Sequence, residues 1–225
     1  MTPTRPMRIV AGAVALAAIL AACSGGTEPT PRPACPTGAP TADQAASILV
    51  DADHAVLVTN KGALTMELYG EAAPIATANF VALARCGYYD GISFHRVIAG
   101  FVAQVGDPQT KANRGDFDGL GQGGPGYRFA IEPPFEGLSY DPYVVSMANA
   151  AAPDTNGSQF FINLADLDDQ LDRLYTIFGM VIAGTEVVDA IGQVPTNGAR
   201  GVPLDAVIIE SITIQAGSEE GIPQG

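Results

Sequence analysis

Residues 94–104, FHRVIAGFVAQ, combine the pattern of a buried strand with polar side chains that such a strand rarely carries. Strand-forming residues lie on both sides of the Ala99-Gly100 pair, so the segment predicts two short strands joined by a sharp turn. A histidine, an arginine and a glutamine stand among the apolar residues, and these groups are seldom buried without partners. The segment is therefore a candidate for one wall of a functional site.

Residues 146–162, SMANAAAPDTNGSQFFI, show the same mixture. Strand-like ends flank a turn-rich stretch at 152–157, and amides alternate with aromatic residues where an ordinary core strand would be aliphatic. Phe160 is expected to belong to the core. We interpret the two segments together as the source of one site.

The rest of the chain predicts many short strands and only two helices. A hairpin turn is expected at Asn60-Lys61-Gly62, helices are expected after Pro74 and after Gly184, and residues 206–214 alternate as a closing strand. Further strands are predicted at 128–132, 143–147, 158–164 and 174–182. Short strands with few helices favour a mainly β fold, a closed and mostly antiparallel barrel with helices at its ends.

The N-terminal residues 1–22 are expected to be a signal peptide. A basic start is followed by an unbroken apolar run at 9–22, which is too short to span a bilayer comfortably. Residues 20–23, LAAC, resemble the bacterial lipobox, in which the chain is cut before the cysteine and that cysteine is lipidated. The alternative is an ordinary signal peptide with an incidental Cys23. Acyl chains on Cys23 would anchor the protein at the extracytoplasmic face of the cell membrane.

Composition divides the remaining chain into a tether, one domain and a tail. Residues 23–50 combine the lipidated cysteine with a tether, whose Pro- and Gly-rich stretch at 24–40 is expected to stay extended. Residues 51–216 have the usual size of a single domain, and residues 217–225 are interpreted as a flexible tail.

The net charge restricts the partners of the protein. The 225 residues hold 24 acidic and 11 basic side chains, for a formal charge of −13. Removing residues 1–22 takes away two arginines and no acid, which leaves 9 − 24 = −15. No basic cluster remains, so we expect no nucleic-acid partner and no membrane contact except the lipid.

Two cysteines remain beside Cys23, and two interpretations stay open. Cys35 in the tether and Cys86 at the end of a predicted helix form an even pair, which outside the cytoplasm favours a disulfide between tether and domain. Two free thiols are the alternative. Neither cysteine has the CxxC spacing of a redox or zinc site.

Two motifs that suggest a ligand lack the context they require. The GxGxxG pattern at 119–124 has no helix after it, so it does not predict a nucleotide site. The acidic cluster at 166–172 lacks the glycine and terminal glutamate of a calcium loop, and a solvated turn is the better interpretation. We therefore expect no cofactor and no metal.

The two polar and aromatic segments, 94–104 and 147–162, resemble the signature blocks of the cyclophilins, which are peptidyl-prolyl cis-trans isomerases. The likeness runs from about Ala55 to Gln215 and includes the residues around Asn79-Phe80 and Phe178-Gly179. It implies a closed eight-stranded antiparallel barrel capped by two α-helices. It also implies that the substrates are proline-containing polypeptides.

The resemblance implies which residues act. Arg96 matches the catalytic arginine, and Phe101, Gln104 and Asn149 complete the catalytic set. The residues implied in substrate binding are Val102, Ala148, Ala150, Gln159, Phe161, Leu171 and Tyr175. Strict strand alternation would place Phe101 and Gln104 on opposite faces, so a bulge or turn must bring them together.

Without the resemblance, the residues favour other interpretations of this segment. Arg96 on its own would be better interpreted as a barrel arginine paired with a carboxylate. His95 is expected to be a hydrogen-bonded core histidine and is left out of the site.

The chain departs from the family pattern at several positions. Val102 replaces the usual methionine, and Tyr175 replaces the pocket histidine, as in bacterial periplasmic members. Gln170 stands where animal members have a tryptophan, so the resemblance does not imply strong cyclosporin binding. An extra residue lies within 150–152. The loop 108–120 is longer than usual, so residues of the neighbouring substrate subsite cannot be assigned.

The sequence therefore predicts a monomeric, lipid-anchored prolyl isomerase that assists the folding of exported proteins. A binding module that holds proline-containing segments with little turnover is the main alternative. A hydrolase is a more distant one, because Ser93, Ser158 and His95 show no GxSxG or triad pattern.

Overall fold

The computed structural model describes Met1 and residues 31–111 and 121–217. Cys23, almost all of the predicted signal peptide, residues 112–120 of the long loop and the tail after Gly217 lie outside these residues. The chain divides into two units, Met1–Pro31 and Arg32–Gly225, and the fold reported below is that of the second. No helix within the described residues has the length and apolarity needed to cross a membrane.

One curled antiparallel sheet of eight strands forms most of the domain. Its strands are β1 His54–Thr59, β2 Gly62–Leu68, β3 Arg96–Ile98, β4 Val102–Val105, β5 Val144–Met147, β6 Phe160–Asn163, β7 Ile177–Ala183 and β10 Ile209–Gln215. The small pair β8 Thr196–Asn197 and β9 Val202–Pro203 forms a second sheet, and the helices are α1 Ala42–Ile48, α2 Pro74–Arg85 and α3 Thr185–Gly192. The order in the large sheet is β10-β1-β2-β7-β5-β6-β4-β3, which confirms a mainly β, antiparallel, eight-stranded fold.

The sheet is open, so the prediction of a closed barrel is wrong. Its edge strands β3 and β10 form no ladder with each other. Just before β3, Ser93 makes a single bridge to Ile208, and the amide of Phe94 donates to the carbonyl of Val207. The outer edge of β3 is occupied instead by the segment around β9, where the amide of Val97 donates to Gly201. Because β3 is short and its edge is already paired, the sheet does not close by a continuous ladder.

The prediction of two helices is also wrong, because the structure has a third, α1, which follows the proline-rich stretch at 24–40. A capping box starts it: the Thr41 hydroxyl accepts from the amide of Gln44, and the Gln44 side chain accepts from the amide of Thr41. Ala45 is fully buried, and Arg85 of α2 donates to the carbonyl of the last residue of α1 at 2.6 Å. These contacts dock α1 against α2.

The segment before α1 is attached to the end of α2. Cys35 forms a disulfide with Cys86, the C-cap residue of α2, with their Cα atoms 5.1 Å apart. Nearby, Arg32 forms an ion pair with Asp90. The chain is thus held against the domain from about residue 32 onward.

The predicted strand at 128–132 is absent. Only an isolated bridge between Phe129 and Asn156 forms there. The Glu132 carboxylate accepts two backbone N–H groups in the first turn of α2, which has no side-chain cap of its own, and the Glu132 amide donates to the Thr176 hydroxyl. Residues 128–132 are therefore held by these individual hydrogen bonds and not by a β-ladder.

Two apolar clusters form on the sheet. The larger one, here called the central core, contains the packed rings of Phe80, Tyr89, Phe160 and Phe178, all fully buried. Their centroids lie 5.2 to 6.1 Å apart, mostly in edge-to-face or tilted pairs. The second cluster lies around Phe161 and is separate from the core.

Candidate active site

The turn between β3 and β4 sets the geometry of the site. Gly100 has φ +70°, a left-handed conformation that glycine adopts without steric cost, and the amide of Phe101 donates to the carbonyl of Ile98 at 2.9 Å. This confirms the predicted pair of strands. Phe101 lies in the turn and so escapes strand alternation, whereas Arg96 and Gln104 are directly paired across the ladder. The turn therefore places Phe101 beside a cross-strand pair from which alternation alone would separate it.

The second cluster collects the predicted apolar residues. Val102 and Phe161 are buried there, while Phe101, Ala148, Leu171 and Tyr175 pack against them and remain partly exposed. The rings of Phe161 and Tyr175 meet edge to face, with centroids 5.5 Å apart. The cluster rests on buried side chains from other elements, which are Tyr140, Val144, Leu167 and Ile177. It forms an apolar surface that is supported from below and open at its rim.

Arg96 stands at this rim as a half-buried cation. Its guanidinium carbon lies 5.6 Å from the centroid of the Phe101 ring. Burial lowers the pKa of Arg96, and Tyr175 opposes the effect, but an arginine stays charged at neutral pH. Within the described residues the ion pairs are Arg32–Asp90 and Arg173–Asp168, so no carboxylate there neutralises Arg96. The interpretation of Arg96 as a paired barrel arginine is not supported within this part of the chain.

Two glutamines form a chain of hydrogen bonds beside the cluster. The Gln104 Nε2 group donates to Gln159 Oε1 at 3.0 Å, and Gln159 Nε2 donates to the Gly123 carbonyl at 2.8 Å. Gln159 is only 8% exposed. The orientation of both side-chain amides is therefore fixed by a backbone carbonyl, which can only accept.

The side chain of Asn149 is occupied by its own loop. Its Nδ2 group donates to the Leu174 carbonyl at 2.8 Å and to Asn156 Oδ1 at 3.3 Å, and its Oδ1 accepts from the amide of Ala151 at 2.9 Å. Within the described residues its backbone N–H and C=O make no hydrogen bond. These two backbone groups are what Asn149 has free to offer a peptide.

A groove of about 540 Å³ runs beside the cluster. Predicted site residues on its wall are Gln104, Ala148, Asn149, Ala150 and Gln159. The opposite wall is the glycine-rich segment 121–128. Apart from the aromatic cluster, the site thus offers a polar channel along which an extended peptide can lie.

The sequence of the sheet and its loops matches one family model. Residues 54–214 match the cyclophilin type peptidyl-prolyl cis-trans isomerases. The chain belongs to this family. Its site combines an arginine without a carboxylate partner in the described residues, an apolar cluster and a polar groove, and this cyclophilin is accordingly a peptidyl-prolyl cis-trans isomerase.

Curated relatives and solved structures agree with the family. Peptidyl-prolyl cis-trans isomerase A of Mycobacterium tuberculosis is 45% identical over 178 residues, which cover 71% of this chain and 91% of the relative. Peptidyl-prolyl cis-trans isomerase B of Streptomyces anulatus is 42% identical over 72% of this chain and 96% of its own. A cyclophilin type isomerase of Cryptosporidium parvum superposes with a TM-score of 0.65 at 37% identity, covering 74% of this chain and 99% of that one. The same Cryptosporidium isomerase was also solved in the presence of the dipeptide Ala-Pro.

His95 precedes Arg96 in this cyclophilin but does not share its surroundings. It is 5% exposed, and neither ring nitrogen has a hydrogen-bond partner within the described residues, so the predicted hydrogen bonds are absent there. Burial lowers the pKa of His95 to about 4, which outweighs the opposite effect of Asp107. The imidazole is therefore neutral at physiological pH.

Sequence reasoning missed two residues that hold the groove in place, Asp107 and Gly123. Asp107 lies two residues after the end of β4 and is fully buried, while Gly123 supplies the carbonyl that orients Gln159. An acidic residue just beyond a buried strand and before a glycine-rich loop was the available signal. The described residues contain no group of three or more His, Cys, Asp or Glu side chains that could hold a metal ion.

Proposed function

We propose that this isomerase accelerates rotation about X-Pro bonds by holding the proline ring on the second cluster and donating from Arg96 to the twisted amide nitrogen. The position of the Arg96 guanidinium, 5.6 Å from the Phe101 ring and without a carboxylate partner in the described residues, carries this proposal. A cation that is not neutralised keeps its donors available for a substrate.

The energy required is modest. Rotation crosses a barrier of about 20 kcal/mol because amide resonance is broken, and it takes tens of seconds unaided. Reaching milliseconds requires about 5 to 6 kcal/mol, at about 1.36 kcal/mol per tenfold. No nucleophile or general acid is needed, because no covalent bond forms or breaks.

The arginine discriminates between the planar and the twisted amide. In the planar state the nitrogen lone pair is delocalised and accepts poorly, whereas the twisted nitrogen regains its lone pair. A guanidinium hydrogen bond to that nitrogen therefore forms best at mid-rotation and lowers the barrier without tightening ground-state binding. In a half-buried setting, such a charge-assisted bond has the required size.

The remaining site residues would contact the substrate on the two sides of the X-Pro bond. Phe101, Phe161 and Leu171 would contact the proline ring and keep it still. The Gln104 amide and the backbone groups of Asn149 would hold the peptide on either side. Val102, Ala148 and Tyr175 would complete the ring pocket, and Ala150 and Gln159 the groove.

A test must separate an isomerase from a module that only binds proline segments. In a protease-coupled assay on a proline peptide, the mature chain should accelerate isomerisation in proportion to its concentration. Titration of the same peptide measures binding independently. Affinity without any acceleration would favour the binding module.

We also propose that the isomerase acts at the cell envelope on exported proteins, held by a lipid on Cys23. The apolar run at 9–22, the LAAC motif and the acidic surface support this placement. The test is to express wild type and Cys23→Ala in a bacterial host and to follow fatty-acid labelling and membrane fractionation. Wild type should be labelled and sediment with membranes, and the variant should do neither. An unlabelled, soluble wild type would contradict the anchor.

A further inference from the structure

Asp107 is a buried carboxylate that the mechanism above does not use. It is fully buried, and within the described residues it forms no ion pair. One oxygen, Oδ1, accepts from the amide of Gln109 at 2.8 Å. The other, Oδ2, accepts from the amides of Gly121 at 2.7 Å and Gly123 at 3.1 Å. Three backbone donors thus stabilise a charge that would otherwise be costly to bury.

The approach of Gly123 to this carboxylate is close. A Cβ atom at position 123 would lie 2.1 Å from Asp107 Oδ1, so only glycine fits there while the loop keeps its place. Asp107 lies two residues beyond the end of β4, the strand that carries Gln104. The hydrogen bonds of the Asp107 carboxylate therefore connect the glycine-rich segment that lines the groove to the end of β4.

We propose that Asp107 is a positioning residue that sets the orientation of the Gln104 side-chain amide through Gly123 and Gln159. The Gly123 carbonyl can only accept, so Gln159 must turn its Nε2 group toward it. The Gln159 Oε1 atom then faces Gln104 as an acceptor, so Gln104 must donate from its own Nε2 group. The remaining N–H and the Oε1 atom of Gln104 are left for the peptide in one defined arrangement.

This inference rests on the proposed role of Gln104 in holding the peptide. If the Gly123 carbonyl moves away, Gln159 loses the acceptor that defines its orientation, and both amides can rotate by half a turn. A rotated Gln104 would present an acceptor where a peptide carbonyl needs a donor. The effect would appear as lost turnover of the folded protein.

The test replaces one acceptor of the buried carboxylate by a donor. Asp107→Asn keeps the shape but cannot accept from Gln109 and from the two glycine amides together. We expect kcat/KM to fall about ten- to a hundredfold, because small misplacements of positioning groups have effects of this size. In ¹⁵N spectra of the side-chain amides, the Gln104 and Gln159 signals should shift or broaden.

A matched control is Glu132→Gln. The Glu132 carboxylate also accepts two backbone amides, from Ile75 at 2.9 Å and Ala76 at 2.8 Å, but at the start of α2. This variant should lower the unfolding temperature while leaving kcat/KM within twofold and the two glutamine signals in place. A purely structural role of Asp107 would make the two variants behave alike.

Gly123→Ala provides a second route, since it keeps the carboxylate and displaces the loop. It should reproduce the glutamine shifts, and it replaces Asp107→Asn if that variant does not fold. In the wild-type protein, the Gln104 proton that is donated to Gln159 Oε1 and the Gln159 proton that is donated to the Gly123 carbonyl should exchange slowly with solvent. Fast exchange in the wild type, or unchanged glutamine signals in a folded variant, would overturn the inference. These signals do not depend on turnover, so an inactive wild type would refute the proposed function and leave the inference standing.

Discussion

Phe160 and Phe161 are neighbours in β6 and belong to different regions of the molecule. Phe160 is fully buried in the central core and meets the rings of Phe80, Tyr89 and Phe178. Phe161 faces the second cluster, where its ring meets Tyr175. One strand therefore contributes to the central core through one face and to the candidate active site through the other.

The two regions differ in how completely their apolar surfaces are covered and their charges are paired. The central core is closed and its aromatic rings contact one another. The second cluster has partly exposed rings and a cation, Arg96, without a carboxylate partner in the described residues. Unfilled apolar surface and an unneutralised charge are costly for a fold and useful for binding.

The largest contrast is expected between alanine substitutions at the two phenylalanines. Phe160→Ala should lower the free energy of unfolding by about 3 to 5 kcal/mol, because it opens a cavity in the core. Phe161→Ala should destabilise less, but it removes a ring contact of about 1.5 to 3 kcal/mol. Its kcat/KM should accordingly fall about 10- to 100-fold. Denaturant unfolding and the coupled assay measure the two effects.

The matched comparison is the activity of the folded fraction of Phe160→Ala. At a temperature where that variant is folded, kcat/KM should stay within a few-fold of wild type. Equal loss of turnover in both variants would mean that the two faces of β6 are not separate regions.

The disulfide between Cys35 and Cys86 is expected to contribute to stability and not to turnover. It closes a loop with a sequence separation of 51 residues, for which the chain-entropy estimate is about 4 kcal/mol. The double variant Cys35→Ser, Cys86→Ser should therefore lose about 2 to 4 kcal/mol of unfolding free energy. The turnover of the folded protein should not change. A large loss of kcat in a folded variant would connect this end of α2 to the site.

Stability and activity should also differ in their dependence on pH, and His95 is the residue on which this expectation rests. The pKa of His95 is about 4 in the folded protein and about 6.5 when unfolded, so the unfolded chain binds the additional proton first. Stability should be full above about pH 6.5 and decrease as the pH falls toward 4, by up to about 3 kcal/mol. The kcat of the folded protein should show no matching titration, since His95 takes no part in the mechanism.

The control for this pH dependence is the other histidine. His95→Gln should flatten the stability profile between pH 4 and 6.5, whereas His54→Gln should keep its slope. An unchanged slope in His95→Gln would show that another group is responsible.

The sequence was sufficient for the parts of the fold that depend on local patterns. The Gly100 turn, the hairpin at 60–62 and the helix after Pro74 all follow from glycine, proline and apolar spacing. The capping box of Thr41 and Gln44 was also readable, but the surrounding proline-rich composition favoured a tether. Closure of the barrel was mispredicted because it depends on a distant segment that covers the edge of β3.

The candidate site likewise has parts that could be predicted from the sequence and parts that could not. The second cluster could be assigned because its residues follow a recognisable order along two segments. The state of Asn149 was not predictable, since only the folded loop shows that its side chain is occupied and that its backbone makes no hydrogen bond within the described residues. The role of Asp107 was hidden as well, because all three hydrogen bonds that link it to Gln104 cross between segments that are apart in the chain.

The most direct test of the account is the effect of Arg96→Ala and Arg96→Lys on kcat and on the dissociation constant of a proline peptide. We predict that Arg96→Ala lowers kcat about 100- to 1,000-fold, while the dissociation constant and the unfolding temperature change little. Arg96→Lys should be intermediate, because lysine lacks the planar fork. If kcat of Arg96→Ala stays within threefold of wild type, or if only the affinity falls, the guanidinium does not stabilise the twisted amide.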